Sequence, residues 1–260
     1  MKHYTLKKSL GQHFLHDKNI IKRIVASVPV SEGENLLEVG SGGGALTQSL
    51  LDLKGIQLKA IEVDKEKVNY LIKTYPDLKE KLLHQDFLKS EKPFSQHFHV
   101  VGNFPYVISS QILFKMLEWK EQVDSMVGMF QKEVAKRVAA EPGNKEYGVL
   151  SVLIGAYFNI EYLFEVAPGC FTPPPKVQSA VIRMFPNGNV FGIEEEERFK
   201  TLVKKAFQQR RKILRNPLKP YFCKETLKEP IFGKRAEELS IAQFVELSKK
   251  MSCRKTLEKS

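Results

Sequence analysis

Residues 34–47 read ENLLEVGSGGGALT. A short apolar run ends in a glycine-rich loop, and the loop opens a helical pattern, GALTQSLLDL. An apolar run of this length bounded by glycine suits a strand. Gly40, Gly42 and Gly44 let the backbone turn tightly and come close to a ligand at the strand's carboxyl end. Strand, glycine turn and helix, in that order, open an α/β sheet whose ligand sits at the strand ends.

The same pattern repeats outward. IQLKAIEVD, KLLHQDFL and HFHVVGNFP are apolar runs ending in Asp or Pro, and KEKVNYLIKTY between them is helical. SMVGMF reads as a fifth strand and QKEVAKRVAAE as its helix. Strands alternating with helices imply a parallel sheet covered by helices. YLFEVA and SAVIRMFP have no helix between them, which predicts an antiparallel pair at the sheet edge. PNGN (186–189) is a break, and the strand patterns stop there. Phe199, Leu202, Val203, Ala206, Phe207, Ile213 and Leu214 keep roughly helical spacing, and SIAQFVELSKKM has a Ser N-cap signal with an apolar stripe. The expected organisation is an α/β domain over 1–189 and a small helical domain over 190–260.

A chain of 260 residues can build one good core and a small appendage. No apolar run approaches the ~18 residues of a membrane span. The basic start MKHYTLKKSLGQHF lacks the apolar stretch of a secretory signal. Cys170, Cys223 and Cys253 are odd in number and far apart, which fits neither a disulfide framework nor a metal site and suggests a reducing compartment. The six histidines form no ligand-spaced cluster, so no metal is expected. The formal net charge of +11 favours polyanionic partners. From Arg198 to Lys228 there are eleven Lys and Arg and a single acid, Glu225. Within that run Arg210, Arg211, Lys212 and Arg215 are the candidate phosphate contacts. On a continued helix Arg211 and Arg215 share a face, flanked by the other two.

Two further strand ends carry acids. A carboxylate at Glu62 can accept both hydroxyls of a ribose, and one at Asp86 can take a hydrogen bond from an adenine amino group. The glycine loop alone is unspecific, since Gly40, Gly42 and Ala45 also satisfy the dinucleotide fingerprint. Three successive strand ends with these groups describe a site for an adenosine-containing cofactor.

The fourth strand end, NFPY (103–106), selects among such cofactors. It resembles the signature of S-adenosylmethionine-dependent N6-adenine methyltransferases: Asn or Asp, an apolar residue, Pro, then an aromatic. The chain as a whole is similar to the ribosomal RNA adenine dimethyltransferases. The matches are LGQHFLHDKNI (10–20), EVGSGGGALT (38–47), IEVD (61–64), QDFL (85–88), NFPY, FTPPPKVQSAV (171–181) and AFQQRRKILRN (206–216), in family order. His13 stands where the family more often has Asn, Ser41 where Pro is frequent, and Phe104 where Leu or Ile is frequent. Relatives that confer macrolide resistance share most of these motifs. FTPPPKVQSAV with a basic helical tail resembles the housekeeping enzymes more.

The resemblance implies a Rossmann-like methyltransferase sheet and S-adenosylmethionine held by His13, Leu15, Gly40, Gly42, Glu62, Val63, Asp86, Phe87 and Asn103. It implies dimethylation of N6 of two adjacent adenosines in a hairpin near the 3′ end of 16S rRNA, in the immature 30S particle. It also implies a role in small-subunit biogenesis for a cytoplasmic protein, read as a monomer without a membrane partner. The alternatives are a 23S rRNA adenine N6-methyltransferase of the macrolide-resistance type, or a mainly binding assembly factor. A DNA adenine methyltransferase would usually carry a target-recognition domain, for which ~70 helical residues leave little room. Glu62, Asp86 and Asn103 are all intact, which favours a working enzyme. Adenine N6 is a poor nucleophile because its lone pair is delocalised into the ring. The Asn103 side-chain oxygen and the Phe104 carbonyl are expected to accept its two N–H groups and favour a pyramidal nitrogen. Pro105 fixes the carbonyl's direction. Tyr106 and Phe171 are expected to sandwich the base, stacking being worth ~1–3 kcal/mol per base.

Overall fold

A computed structural model describes residues 13–251. Leu10, Gly11 and Gln12 of the first motif, and Cys253, lie outside the described residues.

The described residues open with a two-residue strand, β1 (Phe14–Leu15), and helix α1 (Lys18–Ala26). Asp17 caps α1 by accepting the backbone N–H groups of Asn19 and Ile20. Four strands follow, three of them with helices: β2 (Asn35–Val39) with α2 (Thr47–Leu51), β3 (Gln57–Glu62) with α3 (Lys65–Thr74), β4 (Leu82–His84) with only a 3₁₀ turn, and β5 (Phe98–Asn103) with α4 (Ser109–Glu118). Then come β6 (Val123–Gln131), α5 (Lys132–Val138), α6 (Val149–Gly155), β7 (Phe158–Val166), β8 (Phe171–Thr172) and β9 (Ser179–Pro186). The remainder is helical or turn: α7 (Glu196–Phe207), α8 (Arg215–Leu218), several 3₁₀ turns and α9 (Ile241–Lys250).

The main sheet has the order β4-β3-β2-β5-β6-β9-β7. Its first five strands are parallel, and β9 runs antiparallel to β6. β7 takes the edge, as the two helix-free runs predict. Every residue of β2 is buried, which is the mark of a central strand covered on both faces. The chain order reverses between β2 and β5, so the switch point of the sheet opens at their carboxyl ends. One pairing has no counterpart in the sequence patterns: β1 lies antiparallel to β8, with Leu15 opposite Phe171. Strands of two residues carry no period to detect.

The chain divides into two compact units. One comprises the residues up to Ala135 with Asn159–Pro186; the other comprises Lys136–Phe158 with the residues from Asn187 onward. The second unit therefore takes in a mid-chain segment as well as the helical tail expected from residue 190. Leu150, Leu153, Phe199, Leu202 and Val203 are buried in it. Phe207 packs between Tyr147 and Phe244, at 6.2 and 5.8 Å between ring centroids. The Ser240 side chain caps α9 by accepting the Gln243 N–H, in a capping box, as the sequence signal implies.

The basic run does not continue as a helix. α7 ends at Phe207, and Gln208–Arg211 form a turn. Ile213 pairs antiparallel with Arg235, and the Leu214 N–H donates to the Lys234 carbonyl at 2.8 Å. This long-range pairing replaces the helical bonds that apolar spacing alone suggests. Arg211 and Arg215 consequently do not share a face of one helix, and Arg215 starts the short α8.

Candidate active site

Glu62, the last residue of β3, is buried, and its carboxylate is held by backbone. Oε1 accepts from the Val63 and Asp64 N–H groups at 2.9 Å each, and Oε2 accepts from the Gly42 N–H at 2.8 Å. A carboxylate offers about four acceptor sites, so these three bonds leave acceptor capacity for a ribose. Gly42 has φ +57°, the left-handed region that glycine enters without strain. A side chain at Gly40 would reach towards Pro105, 4.0 Å from its Cβ position, and narrow the space between the loop and the β5 end.

Asp86 lies two residues beyond β4 and caps a 3₁₀ turn, Phe87–Lys89, by accepting the Leu88 N–H at 3.0 Å. That bond uses Oδ1; Oδ2 has Lys89 Nζ at 4.0 Å, on an exposed side chain. Phe87 is buried edge-on against Trp119.

The NFPY run is positioned by the sheet. Gly102 of β5 and Gly128 of β6 are register partners. A Cβ on either would lie 2.5 or 2.3 Å from the Phe104 ring, so the paired glycines form the slot that this ring fills. Phe104 is 1% exposed and packs on Phe130 at 5.0 Å, while its N–H donates to the Met129 carbonyl. The ring thus anchors the loop and leaves its backbone at the cavity wall. Asn103 Nδ2 donates to the His13 carbonyl at 3.5 Å, so the acceptor end of the amide is the one available to a substrate. Tyr106 starts a 3₁₀ turn, its hydroxyl 2.6 Å from Ser179 Oγ and its ring stacked on His13. Burial pushes the Tyr106 phenol above its ordinary value.

All the cofactor residues named from the sequence line one cavity: His13, Leu15, Gly40, Gly42, Glu62, Val63, Asp86, Phe87 and Asn103. Phe104, Pro105 and Tyr106 join them. Phe171 does not. It is 2% exposed and packs in the core across from Leu15, because the β1–β8 pairing turns its ring inward. Of the basic residues, Arg210 bonds Glu237 at 2.9 Å and also the Lys145 carbonyl, and Arg215 Nε donates to the Leu227 carbonyl at 2.9 Å. Arg211 and Lys212 are exposed.

Sequence reasoning missed Glu38. It lines the same cavity, is 2% exposed, and accepts hydrogen bonds from Ser41 Oγ and Thr47 Oγ1. Burial pushes its carboxyl up to about 7, against the opposing effect of the two hydroxyls and with the help of the Glu62 charge. The signal was an acid inside an apolar strand, two residues before the first glycine of the loop. Lys67 also lines the cavity and is buried, with no motif to mark it.

These groups fit S-adenosylmethionine: an acceptor left on Glu62 for a ribose hydroxyl, a carboxylate oxygen on Asp86 for an adenine amino group, and an open backbone cradle at Gly40 and Gly42. The family model described as "Ribosomal RNA adenine dimethylase" matches residues 3–252. The chain is 49% identical over 257 residues to the "Ribosomal RNA small subunit methyltransferase A" of Parabacteroides distasonis, covering 97% of this chain and 96% of that one. It is 45% identical over 256 residues to the protein of that name from Cytophaga hutchinsonii, covering 97% and 99%. A dimethyladenosine transferase from Plasmodium falciparum shares the fold with TM-score 0.77 at 22% identity over 92% of this chain and 99% of that one. The 23S rRNA methyltransferase ErmE shares it with TM-score 0.71 at 24% identity over the same fractions. The sheet, the cavity at its switch point and these matches agree: the chain belongs to the ribosomal RNA adenine dimethylase family of S-adenosylmethionine-dependent methyltransferases.

Proposed function

We propose that this enzyme dimethylates N6 of two adjacent adenosines in a hairpin near the 3′ end of 16S rRNA, on the immature 30S particle, and so takes part in small-subunit biogenesis. The observation that carries the reading is the state of Asn103. Its donor end is occupied by the His13 carbonyl, and its acceptor end is left at the head of the cavity. Bound S-adenosylmethionine supplies the methyl group. Glu62 would hold a ribose hydroxyl of the bound cofactor and Asp86 its adenine amino group. Asn103 Oδ1 and the Phe104 carbonyl accept the two N–H groups of the target amine and draw its lone pair out of conjugation. Tyr106 stacks on the target base, which must leave its own stack to enter. Phe171 is buried in the core and outside the cavity lining in this structure.

The second unit supplies phosphate contacts, chiefly Arg211 and Lys212, whose side chains are exposed. The +11 charge steers a polyanion towards the protein. Two relatives at 45% and 49% identity carry the small-subunit name, whereas the 23S enzyme resembles this chain at 24%. That contrast supports the small-subunit substrate; a cytoplasmic, monomeric protein belongs to the same proposal. The test is transfer of labelled methyl groups into unmodified 30S particles, 23S rRNA and duplex DNA, followed by nucleoside analysis. Dimethyladenosine in the 30S particle is the expected product. Label confined to 23S rRNA or DNA overturns the reading.

A further inference from the structure

Tyr106 is gripped from two sides. Its hydroxyl lies 2.6 Å from Ser179 Oγ, and Ser179 is completely buried. Ser179 opens β9, where it pairs with Gln131 of β6. Met129, two residues earlier on β6, pairs with Asn103. A single strand therefore sets the separation between Asn103 and the group that holds Tyr106. On the other side, the His13 imidazole stacks on the Tyr106 ring, with centroids 5.6 Å apart and planes inclined by 28°. His13 is itself fixed twice: Nδ1 donates to the Pro173 carbonyl at 2.8 Å, and its own carbonyl accepts from Asn103.

The physical consequence is restraint. A tyrosine side chain has two soft torsions, and the second is broad. A hydrogen bond from the para hydroxyl, which lies on the axis of the second torsion, to a buried group on a strand fixes the first torsion and so the position of the ring; the stacked His13 ring restrains the second. A second ring against one face leaves only the opposite face for a base. The segment from Pro173 to Ser179 holds both jaws, since Pro173 anchors His13 and Ser179 anchors the hydroxyl.

We infer that Ser179 and His13 are positioning residues for the target adenine: Ser179 sets the position of the Tyr106 ring through its hydroxyl, and His13 sets that ring's tilt by stacking on it and orients the Asn103 amide through its carbonyl. The inference rests on the proposed stacking of Tyr106 on the target base. It gives His13 a task distinct from contact with the cofactor, and it gives Ser179 a task in the reaction.

Tyr106→Phe and Ser179→Ala each delete the hydrogen bond and keep the ring. Each should lower kcat for methyl transfer to 30S particles about three- to tenfold, the value of one neutral hydrogen bond. The dissociation constant for S-adenosylmethionine should not change. The double variant should be no worse than either single variant, because both remove the same contact. Ser179→Thr keeps a hydroxyl and should restore most of the rate. His13→Ala should slow transfer further when added to either, since it removes the other jaw. Wild-type kcat in both single variants overturns the inference, and so does an additive loss in the double variant. If Ser179→Ala does not fold, Tyr106→Phe decides alone, because it removes the bond without touching Ser179. Tyr106→Ala separates the inference from its premise. Full activity there overturns the stacking role itself. An inactive Tyr106→Ala beside a fully active Tyr106→Phe overturns only the grip.

Discussion

The carboxyl end of β5 and the basic turn after α7 are both short polar segments that close a run of apolar residues, and they are built differently. At β5, sheet register sets the frame. Asn103 pairs with Met129, Gly102 with Gly128, and Ser179 with Gln131. At the basic turn, residues 208–214 are held by one isolated bridge to Arg235, by the Leu214–Lys234 bond and by the Arg210–Glu237 pair. A parallel sheet places the ends of its strands side by side, so residues far apart in sequence share a site once the strands are recognised. A turn closed by distant partners offers no such rule. The first segment should therefore tolerate substitution badly and locally, and the second should respond weakly and in proportion to charge.

Asn103→Ala is the strongest test of the first half of this contrast. It removes an acceptor used chiefly in reaching the transition state, so cofactor affinity should persist while transfer falls by about a hundred- to a thousandfold. Calorimetry with the cofactor and a single-turnover assay read the two quantities separately. Near-normal transfer means that the β5 end is a structural turn and that the contrast is false.

Glu62→Ala comes next. The side chain ties the Gly42 turn to the end of β3 and offers its remaining acceptor site to the ribose. A hydrogen bond to a charged group contributes roughly 1.5–3 kcal/mol, so the dissociation constant should rise about ten- to hundredfold. An unchanged constant shows that the strand ends do not frame the cofactor.

Much of this was legible because the signals were local. Gly40, Gly42, Glu62, Asp86 and the NFPY run each sit where an apolar run stops, and parallel strands bring such stops together. The core placement of Phe171 was not legible because its partner, Leu15, is joined to it by two-residue strands that leave no pattern. The slot for Phe104 was not read because Gly102 and Gly128 are distant in sequence and meaningful only in register. Helical spacing misled at residues 208–214, where Ile213 and Leu214 continue the apolar rhythm of α7 while the backbone has already turned to meet Lys234 and Arg235. Glu38 was passed over because an acid inside a buried strand looks like an interruption until its hydroxyl partners are known.

Glu38 also gives the glycine loop a pH signature that the basic turn should lack. Its carboxyl is pushed from the ordinary 4.5 up to about 7, first by burial. A value raised in the folded state means that the folded protein holds the proton more tightly than the unfolded chain. The resulting stability is complete below about 4.5 and is lost as the pH rises towards 7. Glu38→Gln cannot titrate, yet it can still pair with Ser41 and Thr47. Thermal unfolding across that window should show a fall for the parent that is flattened in the variant. Parallel curves mean that Glu38 keeps the same charge throughout.

The smallest effect separates two neighbouring arginines in the basic turn. Arg210 bonds Glu237 and the Lys145 carbonyl, so its charge is partly spoken for within its own unit. Arg211 is exposed beside it, with Lys212 next. If the turn meets RNA phosphates, Arg211→Ala should remove one contact and reduce the slope of log affinity against log salt by about 0.7–0.9. Arg210→Ala should leave that slope nearly intact. It should instead cost a few tenths to ~1 kcal/mol of stability, the range for a solvent-exposed ion pair. Cofactor affinity should be unaltered in both, because the cavity lies in the other unit. Particle binding at several salt concentrations, with a cofactor titration and a melting curve for each variant, gives all three readouts. Equal slopes for the two variants would show that local tethering does not decide which cations reach the RNA, and the turn would then act as a diffuse charge.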